Sequence, residues 1–309
     1  MRIGLSGGAA SVDRMIIQAQ EAEAEGFSSL WYASGVAGDP LVAMAMAGRA
    51  TRSIELGTAV LQTYPCHPLL QANRVIAAAN AMGRPGLCLG LGPSHEPIVR
   101  DVLGLSYDHP ARNTAEYVRI VSPLLRGEDV DVDGIDWSAH TADRAARPDQ
   151  PVPLLLSALS PRMLHIAAQF ADGVVLWMAS RQALESRITP TLAAATADFG
   201  RPRPRIVAGL PVAVHDDADE ARNAVAATAV SYAGMRNYEQ IIRAGGGTSA
   251  ADVAIVGTES EVRHQLQALL DAGATDVWAQ PVAVGTDRAE RSASVRRARA
   301  LLGALAREG

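Results

Sequence analysis

The chain has 309 residues, of which 48% are hydrophobic and 20% charged, and its formal net charge is −5. This balance is typical of a globular protein and gives no reason to expect a nucleic acid or an anionic membrane as partner. The two cysteines, Cys66 and Cys88, form no CxxC pair and no metal-ligand cluster with histidine, so we expect neither a disulfide framework nor a metal site. The first residues become polar too soon for a signal peptide, and no run approaches the roughly 18 apolar residues of a membrane span. We therefore expect a cytoplasmic protein.

Short apolar runs alternate along the chain with longer segments of helical period, which is typical of parallel βα units. The predicted strands are Arg2–Ser6, Ser29–Tyr32, Ile54–Leu61, Gly86–Leu91, Val152–Ala158, Gly173–Met178, Arg205–Val214 and Asp276–Gln280. The first predicted helix follows Ser11, the helix after the sixth strand runs to about Ala197, and another helix starts at Asp217. The other predicted helices cover about Asp39–Ala50, Pro68–Met82, Ala111–Arg126, Pro161–Phe170, Glu259–Leu270 and Arg288–Arg307.

Eight such units predict an α/β protein with a (β/α)8 barrel, formed as one domain by residues 1–309. The alternative is a doubly wound open sheet, which usually carries a GxGxxG fingerprint after its first strand. The glycines at Gly7 and Gly8 lack that spacing, so a closed barrel is favoured. Two longer segments, 127–150 and 236–252, look like insertions that serve as lids or as surface loops.

In a barrel of this kind the functional site lies at the carboxyl ends of the strands. The third strand ends in small residues around Thr58, which would let a flat ring approach the backbone. The fourth ends in Gly90-Leu91-Gly92-Pro93-Ser94-His95-Glu96, which brings a hydroxyl, an imidazole and a carboxylate to the rim. The fifth is followed by Ser160 at a helix N-cap, where free N–H groups favour a phosphate and Arg162 would add charge.

Several motifs together resemble the luciferase-like family, and most of all its members that use coenzyme F420. They are Gly57-Thr58-Ala59-Val60, His67-Pro68, Gly90-Leu91-Gly92-Pro93-Ser94-His95, Leu159-Ser160-Pro161-Arg162-Met163-Leu164, Ala171-Asp172-Gly173, Gly257-Thr258-Glu259 and Asp271-Ala272-Gly273-Ala274-Thr275-Asp276. Each motif alone is weakly specific, but their order and spacing cover essentially the whole chain.

The resemblance implies a bulge with a non-prolyl cis peptide behind the cofactor ring, at Ala59–Val60. It also implies that Gly90 and Gly92 line the ring's edge, with Ser94 beside them. The cofactor phosphate would be held by Ala158, Leu159, Ser160 and Arg162.

His95 falls where a relative carries an acidic proton-transfer residue, so the resemblance assigns it proton transfer. That relative also has a histidine after the second strand, where this chain has Ser34, and this departure weakens an alcohol oxidation based on that histidine. Ser34 and Trp177 are expected in the substrate pocket, where Trp278 is a further wall candidate. Tyr232 and Tyr238 are candidate lid contacts.

The predicted function is an F420-dependent oxidoreductase that transfers hydride between the deazaflavin and a small organic substrate. An FMN-dependent monooxygenase on the same barrel is the first alternative, and a barrel that binds the cofactor without turnover is the second. The resemblance also suggests a homodimer.

Overall fold

The barrel closes through eight parallel strand positions in the computed structural model, which describes residues 1–36, 38–232 and 234–308. The strands are β1 Ile3–Gly7, β2 Ser29–Tyr32, β3 Glu55–Thr58, β4 Leu61–Gln62, β5 Leu87–Gly92, β6 Asp131–Val132, β7 Ala139–His140, β8 Leu154–Leu156, β9 Gly173–Trp177, β10 Arg205–Val214, β11 Ile255–Gly257 and β12 Asp276–Pro281. Going round the barrel the order is β1, β2, β3, β5, β8, β9, β10 and β12, and β12 pairs again with β1. Because β9 pairs with β10, this ring of eight strands is closed, and the open-sheet alternative is wrong.

The helices lie between successive barrel strands. They are α1 Val12–Glu25, α2 Pro40–Arg49, α3 Pro68–Met82, α4 Pro110–Leu125, α5 Pro161–Phe170, α6 Arg181–Ala183, α7 Thr189–Asp198, α8 Ala218–Thr228, α9 Arg236–Ala244, α10 Ala250–Val253, α11 Glu259–Asp271 and α12 Arg288–Arg307. Two π-helical segments, Ile98–Val102 and Leu184–Ile188, and a 3₁₀ turn, Val230–Tyr232, complete the list. None of the described helices is long and apolar enough to cross a bilayer.

Helix ends follow the capping residues in the sequence. The Ser11 side chain accepts from the N–H of Arg14, and Gly26 ends α1 in the left-handed conformation at a φ of 94°. Asp287 caps α12, whose bounds are those predicted from the sequence. Local hydrogen bonding therefore sets where these helices begin and end.

The centre of the barrel is filled by aromatic side chains packed over glycines. A Cβ on Gly57 would lie 2.4 Å from the Trp31 ring, and one on Gly209 would lie 2.1 Å from the Trp278 ring. Both indoles are therefore accommodated because the facing strand position has no side chain. Trp31 is 1% exposed and Trp278 8% exposed.

An ion-pair network closes the amino-terminal end of the barrel. Arg205, at the start of β10, bonds Asp276 at the start of β12 and Glu55 at the start of β3, with four contacts of 2.7–3.0 Å. Burial alone would raise the pKa of Asp276, but its hydrogen bonds with Arg205 and Arg2 hold that pKa below its ordinary value.

The predictions differ from the structure mainly at strand ends and in the connections. The third strand, predicted as continuous over Ile54–Leu61, is interrupted between β3 and β4, and the fifth is shorter than Val152–Ala158. A ninth parallel strand, β11, was missed: it pairs with the carboxyl end of β10 beyond the last residue that pairs with β9. The segment 127–150 contains the antiparallel hairpin β6–β7, and 236–252 contains all of α9 and most of α10.

Candidate active site

Two adjoining cavities open at the carboxyl ends of the barrel strands. The inner cavity has a volume of about 260 Å³ and the second about 100 Å³. Val60, Ser157 and Tyr238 line both, so the two form one cleft. The inner lining is Ser6, Gly7, Trp31, Ala33, Ala59, Val60, Ser157, Val175, Leu176, Trp177, Tyr232, Tyr238, Trp278 and Gln280.

A β-bulge lies at the base of this cleft. Gly57 pairs with Cys88 and Leu61 pairs with Leu91, so β3–β4 advances by four residues while β5 advances by three. The extra residue falls at the Ala59–Val60 peptide, which is cis, as predicted. Both residues of this peptide line the inner cavity.

Thr58 and Gly90 were expected near the cofactor, but their contacts hold the bulge together. Thr58 is fully buried, and its hydroxyl both donates to the carbonyl oxygen of Gly90 and accepts from the Gly90 N–H, at 2.8 Å in each case. A Cβ on Gly90 would lie 2.0 Å from the Thr58 carbonyl oxygen. Neither residue lines the described cleft, so any part they take in cofactor binding is through the backbone position they fix.

Gly92 lines the second cavity, and its predicted contact with a cofactor ring stays a prediction. A Cβ there would come within 2.8 Å of Val60 Cγ2 and 3.1 Å of Ser157 Cβ. The absence of a side chain at Gly92 therefore leaves the space between the bulge and β8 open.

Ser94 and His95 form the far wall of the second cavity. Ser94 has a φ of 63°, and its Oγ is buried without a hydrogen-bond partner. The His95 ring lies 5.1 Å from the Tyr238 ring, and burial lowers the pKa of the imidazole below its ordinary value of 6.5. His95 is therefore neutral near pH 7 and able to accept a proton.

Glu96 belongs to the protein surface. It is exposed and bonds Arg100 at 2.9 Å, and Arg100 also bonds Asp108. Glu96 lines the outer channel described below and lies outside both cavities of the cleft.

The start of α5 lines the same cavity as His95. The Ser160 side chain accepts from the N–H of Met163 at 3.3 Å, and both Ser160 and Leu159 line the second cavity. Ala158 is fully buried behind them. Arg162 is exposed and lies outside the lining of the described cleft, so its predicted contact with a phosphate stays a prediction.

An aromatic wall closes the inner cavity. Trp177 stacks on Trp278 at a ring distance of 4.8 Å, and Tyr232 lies 6.1 Å from Trp177 and 5.3 Å from Tyr238. Trp177, Tyr232 and Tyr238 all line the inner cavity, and the predicted contact of Trp177 with a substrate stays a prediction. Ser34 is half-buried and does not line it, although its neighbour Ala33 does.

An outer channel of about 700 Å³ continues the cleft toward solvent. It shares His95 and Ser160 with the second cavity and carries both signs of charge, with Arg100 and Arg236 beside Glu96 and Asp101. Nowhere in 1–36, 38–232 and 234–308 do three His, Cys, Asp or Glu side chains group to hold a metal ion.

Three polar lining residues were not singled out from the sequence. Ser157 was placed inside a strand, but β8 ends at Leu156 and leaves the serine at the rim. Ser6 and Gln280 lie near the carboxyl ends of β1 and β12, where the rule that barrel sites follow strand ends was the available signal.

The first insertion is anchored away from the cleft. Glu116 accepts from the N–H groups of Ile135, Asp136 and Trp137 at the hairpin turn. His67 caps α3 by accepting from the N–H of Leu69, and its ring contacts the Ser138 carbonyl oxygen at 3.1 Å.

The cleft of this closed (β/α)8 barrel lies at the carboxyl rim, where barrel enzymes have their active sites. The sequence model of the luciferase-like monooxygenase family matches residues 1–295. The chain belongs to that family, as its motifs indicated.

Among its relatives, 5,10-methylenetetrahydromethanopterin reductase of Methanolobus tindarius is 32% identical over 51% of this chain and 48% of the relative. The matched stretch thus spans about half the length of that protein. The F420-dependent hydroxymycolic acid dehydrogenase of Mycobacterium tuberculosis is 29% identical over 85% of this chain and 77% of the relative.

Two solved structures share the fold. An F420-dependent secondary alcohol dehydrogenase, in complex with an F420–acetone adduct, has a TM-score of 0.75, 18% identity, and coverage of 91% of this chain and 93% of its own. The oxygenating constituent of 3,6-diketocamphane monooxygenase from Pseudomonas putida, in complex with FMN, has a TM-score of 0.71, 17% identity, and coverage of 98% and 97%.

Proposed function

We propose that the protein is an F420-dependent oxidoreductase acting on a small organic substrate, and that its cleft holds the deazaflavin. The observation that carries the proposal is the buried Ser94 Oγ, which lacks a hydrogen-bond partner and lies in the cavity that Val60 and Ser160 also line. A buried hydroxyl without a partner costs free energy unless a ligand or water satisfies it.

The residues present fit a planar ring with a phosphorylated tail. Ala59 and Val60 offer an apolar wall, and Gly92 leaves that wall accessible. The start of α5 after Ser160 presents backbone N–H groups, to which a helix dipole adds a favourable field for an anion. When bound, F420 would supply hydride transfer at its C5 position.

The side chains of the cleft would bind the cofactor, shield the reacting faces from water and transfer a proton. The Ser94 and Ser160 hydroxyls would bind polar groups of the cofactor, and the aromatic wall would keep water from the reacting faces. His95 would accept or return a proton at its unprotonated ring nitrogen, because the neutral form dominates near pH 7. Arg100 and Arg236, in the outer channel, would face an anionic tail.

Titration of the purified protein with F420 and with FMN, followed by fluorescence, tests the proposal. We expect saturable F420 binding and hydride transfer to or from an added alcohol or ketone. Tight FMN binding without F420 binding would overturn it.

The FMN-dependent monooxygenase is the second candidate, because the FMN complex of similar fold covers nearly the whole chain. It requires reduced flavin and oxygen, so it predicts oxygen consumption in the presence of a flavin reductase. The F420 proposal predicts none.

We also propose, from the family resemblance, that the protein is a homodimer located in the cytoplasm. Light scattering of the purified protein tests the first statement, and cell fractionation tests the second. A mass of one chain, or recovery in the membrane or secreted fraction, would contradict them.

A further inference from the structure

The inner cavity differs from the outer channel in the charge of its walls. Glu96, Arg100, Asp101 and Arg236 line the outer channel. No formally charged side chain lines the inner cavity among the residues that the structure describes. A charged ligand there would lose its hydration without gaining an ion pair.

The barrel floor does not supply the missing charge. The Arg205 guanidinium lies 5.7 Å from the centre of the Trp31 ring, below the cavity. It is paired with Glu55 and Asp276, whose two carboxylates balance it and Arg2 within one network. The floor therefore offers no free cation to an anionic ligand.

The walls of the inner cavity are flat and aromatic. Trp177 and Trp278 are stacked within 27° of parallel, and Tyr232 extends the wall toward Tyr238. Stacked faces of this size favour a planar apolar molecule. Such a molecule would lie between this wall and the ring that the Ala59–Val60 side would hold.

A few polar groups interrupt the apolar lining. The side chains of Ser6, Ser157 and Gln280 supply polar groups to this lining. All three are uncharged, so they match a neutral donor or acceptor such as a hydroxyl or a ketone oxygen.

We propose that the substrate is a neutral, planar and largely apolar alcohol or ketone, and that the inner cavity discriminates against carboxylate- or phosphate-bearing molecules. This inference rests on the proposed function and names the substrate class of the same site. Specificity follows from the lost hydration of an anion that finds no cation in the cavity.

Calorimetric titration of the cofactor-free protein with 2-acetonaphthone and 2-naphthoate tests the proposal, because the two molecules differ little in shape but differ by one charge. We expect the ketone to bind at least tenfold more tightly than the carboxylate. Equal or tighter binding of the carboxylate, or no detectable binding of the ketone, would overturn the proposal.

Two variants sharpen the test. Gln280→Arg places a cation at the cavity wall and is expected to reverse the preference at least tenfold in favour of 2-naphthoate. Trp177→Leu is expected to weaken ketone binding at least tenfold, with circular dichroism as a check of folding. If Trp177→Leu fails to fold, Gln280→Arg decides alone, and an unchanged preference in that variant contradicts the proposal.

F420 titration of the same samples distinguishes a failure of the proposed cofactor from a failure of the proposed substrate class. If F420 does not bind but the ketone preference holds, the proposed cofactor is wrong and the assignment of the cavity stands. If F420 binds and anionic substrates are reduced or oxidised as well as neutral ones, the cofactor assignment stands and the substrate class is wrong.

Discussion

The Thr58 hydroxyl bonds both backbone groups of Gly90, donating to the carbonyl oxygen and accepting from the N–H at 2.8 Å each. These two bonds replace the strand ladder at the point where the third barrel strand bulges. One buried hydroxyl thus fixes the position of the Ala59–Val60 wall relative to β5.

Replacing Thr58 by valine removes both bonds at nearly constant volume. We expect the free energy of unfolding to fall by about 2–4 kcal/mol, because two buried backbone groups lose their partner. Urea denaturation measures it. Thr58→Ser keeps the hydroxyl and serves as control, with an expected loss of about 1 kcal/mol for the methyl group. An equal loss in both variants would show that packing, and not the hydrogen bonds, holds the bulge.

Alanine substitutions at Gly90 and Gly92 are expected to act differently. At Gly90 the new Cβ meets a backbone carbonyl at 2.0 Å, so stability falls, by about 3 kcal/mol or more. At Gly92 the Cβ meets a Val60 methyl group at 2.8 Å and Ser157 Cβ at 3.1 Å, and both are side-chain atoms that can shift more readily than a backbone carbonyl. The new methyl group narrows the cleft, so we expect F420 affinity to fall at least about tenfold with a smaller loss of stability than at Gly90. Thermal unfolding and F420 fluorescence distinguish the two. Unchanged affinity in Gly92→Ala would remove this cavity from the cofactor site.

The lowered pKa of His95 predicts a pH dependence. In the proposed reaction the neutral imidazole accepts a proton in the oxidation direction, so the rate should fall as the pH drops below 6.5 through the lowered pKa. Any stability that the neutral form contributes is present above 6.5 and is lost over the same fall.

Single-turnover alcohol oxidation between about pH 5 and 8 checks this dependence. His95→Gln should abolish the acidic limb and lower the rate by about 100-fold or more. A variant with an unchanged pH profile would assign the proton transfer to another group.

The ion-pair network at the barrel floor predicts a large effect on stability away from the site. Arg205→Met leaves Glu55 and the buried Asp276 without their shared partner, and we expect a loss of about 3–5 kcal/mol. Arg2→Met removes a half-exposed partner and should cost about 1 kcal/mol or less. Chemical denaturation at neutral pH compares the two. Similar small losses would mean that the network contributes little.

Acid should weaken the same network. Because the folded state lowers the pKa of Asp276, the stability from this carboxylate is present above 3.8 and is lost as the pH falls below that value. Arg205→Met should therefore lose less stability on acidification than the unmodified chain does. Denaturation midpoints measured at decreasing pH test this, and parallel curves would contradict it.

The periodic and capped parts of the fold were predictable from the sequence. Ser11, Gly26 and Asp287 carry local signals that fix helix ends wherever the helix packs. The eight short apolar runs predicted the barrel strands. Strands of a parallel barrel are buried on both faces, so their sequences are apolar throughout and do not alternate polar with apolar residues.

Interactions between distant residues were not predictable from local pattern. The run around Thr58 has strand-like composition throughout, and its bulge depends on a bond to Gly90, 32 residues away. Likewise β11 is only three residues long and is defined by pairing with β10. Short strands of this kind carry too few residues for a periodic signal.

The candidate site was predictable in outline, since strand ends and a helix start identify the rim. The side-chain directions were not: Arg162 is exposed, whereas Ser157, which was predicted inside the fifth strand, lines the cleft. Successive residues of a strand point to opposite faces of the sheet. An error of one residue at a predicted strand end therefore assigns a side chain to the wrong face.

The structure of the protein crystallised with F420 tests the central claim most directly. We expect the deazaflavin ring to lie against Val60, its phosphorylated tail to leave past Ser94 and Ser160, and His95 to lie within contact distance of the ring or of the space above it. A ring bound elsewhere, for example in the 440 Å³ cavity beside His215 and Arg297, would contradict the account.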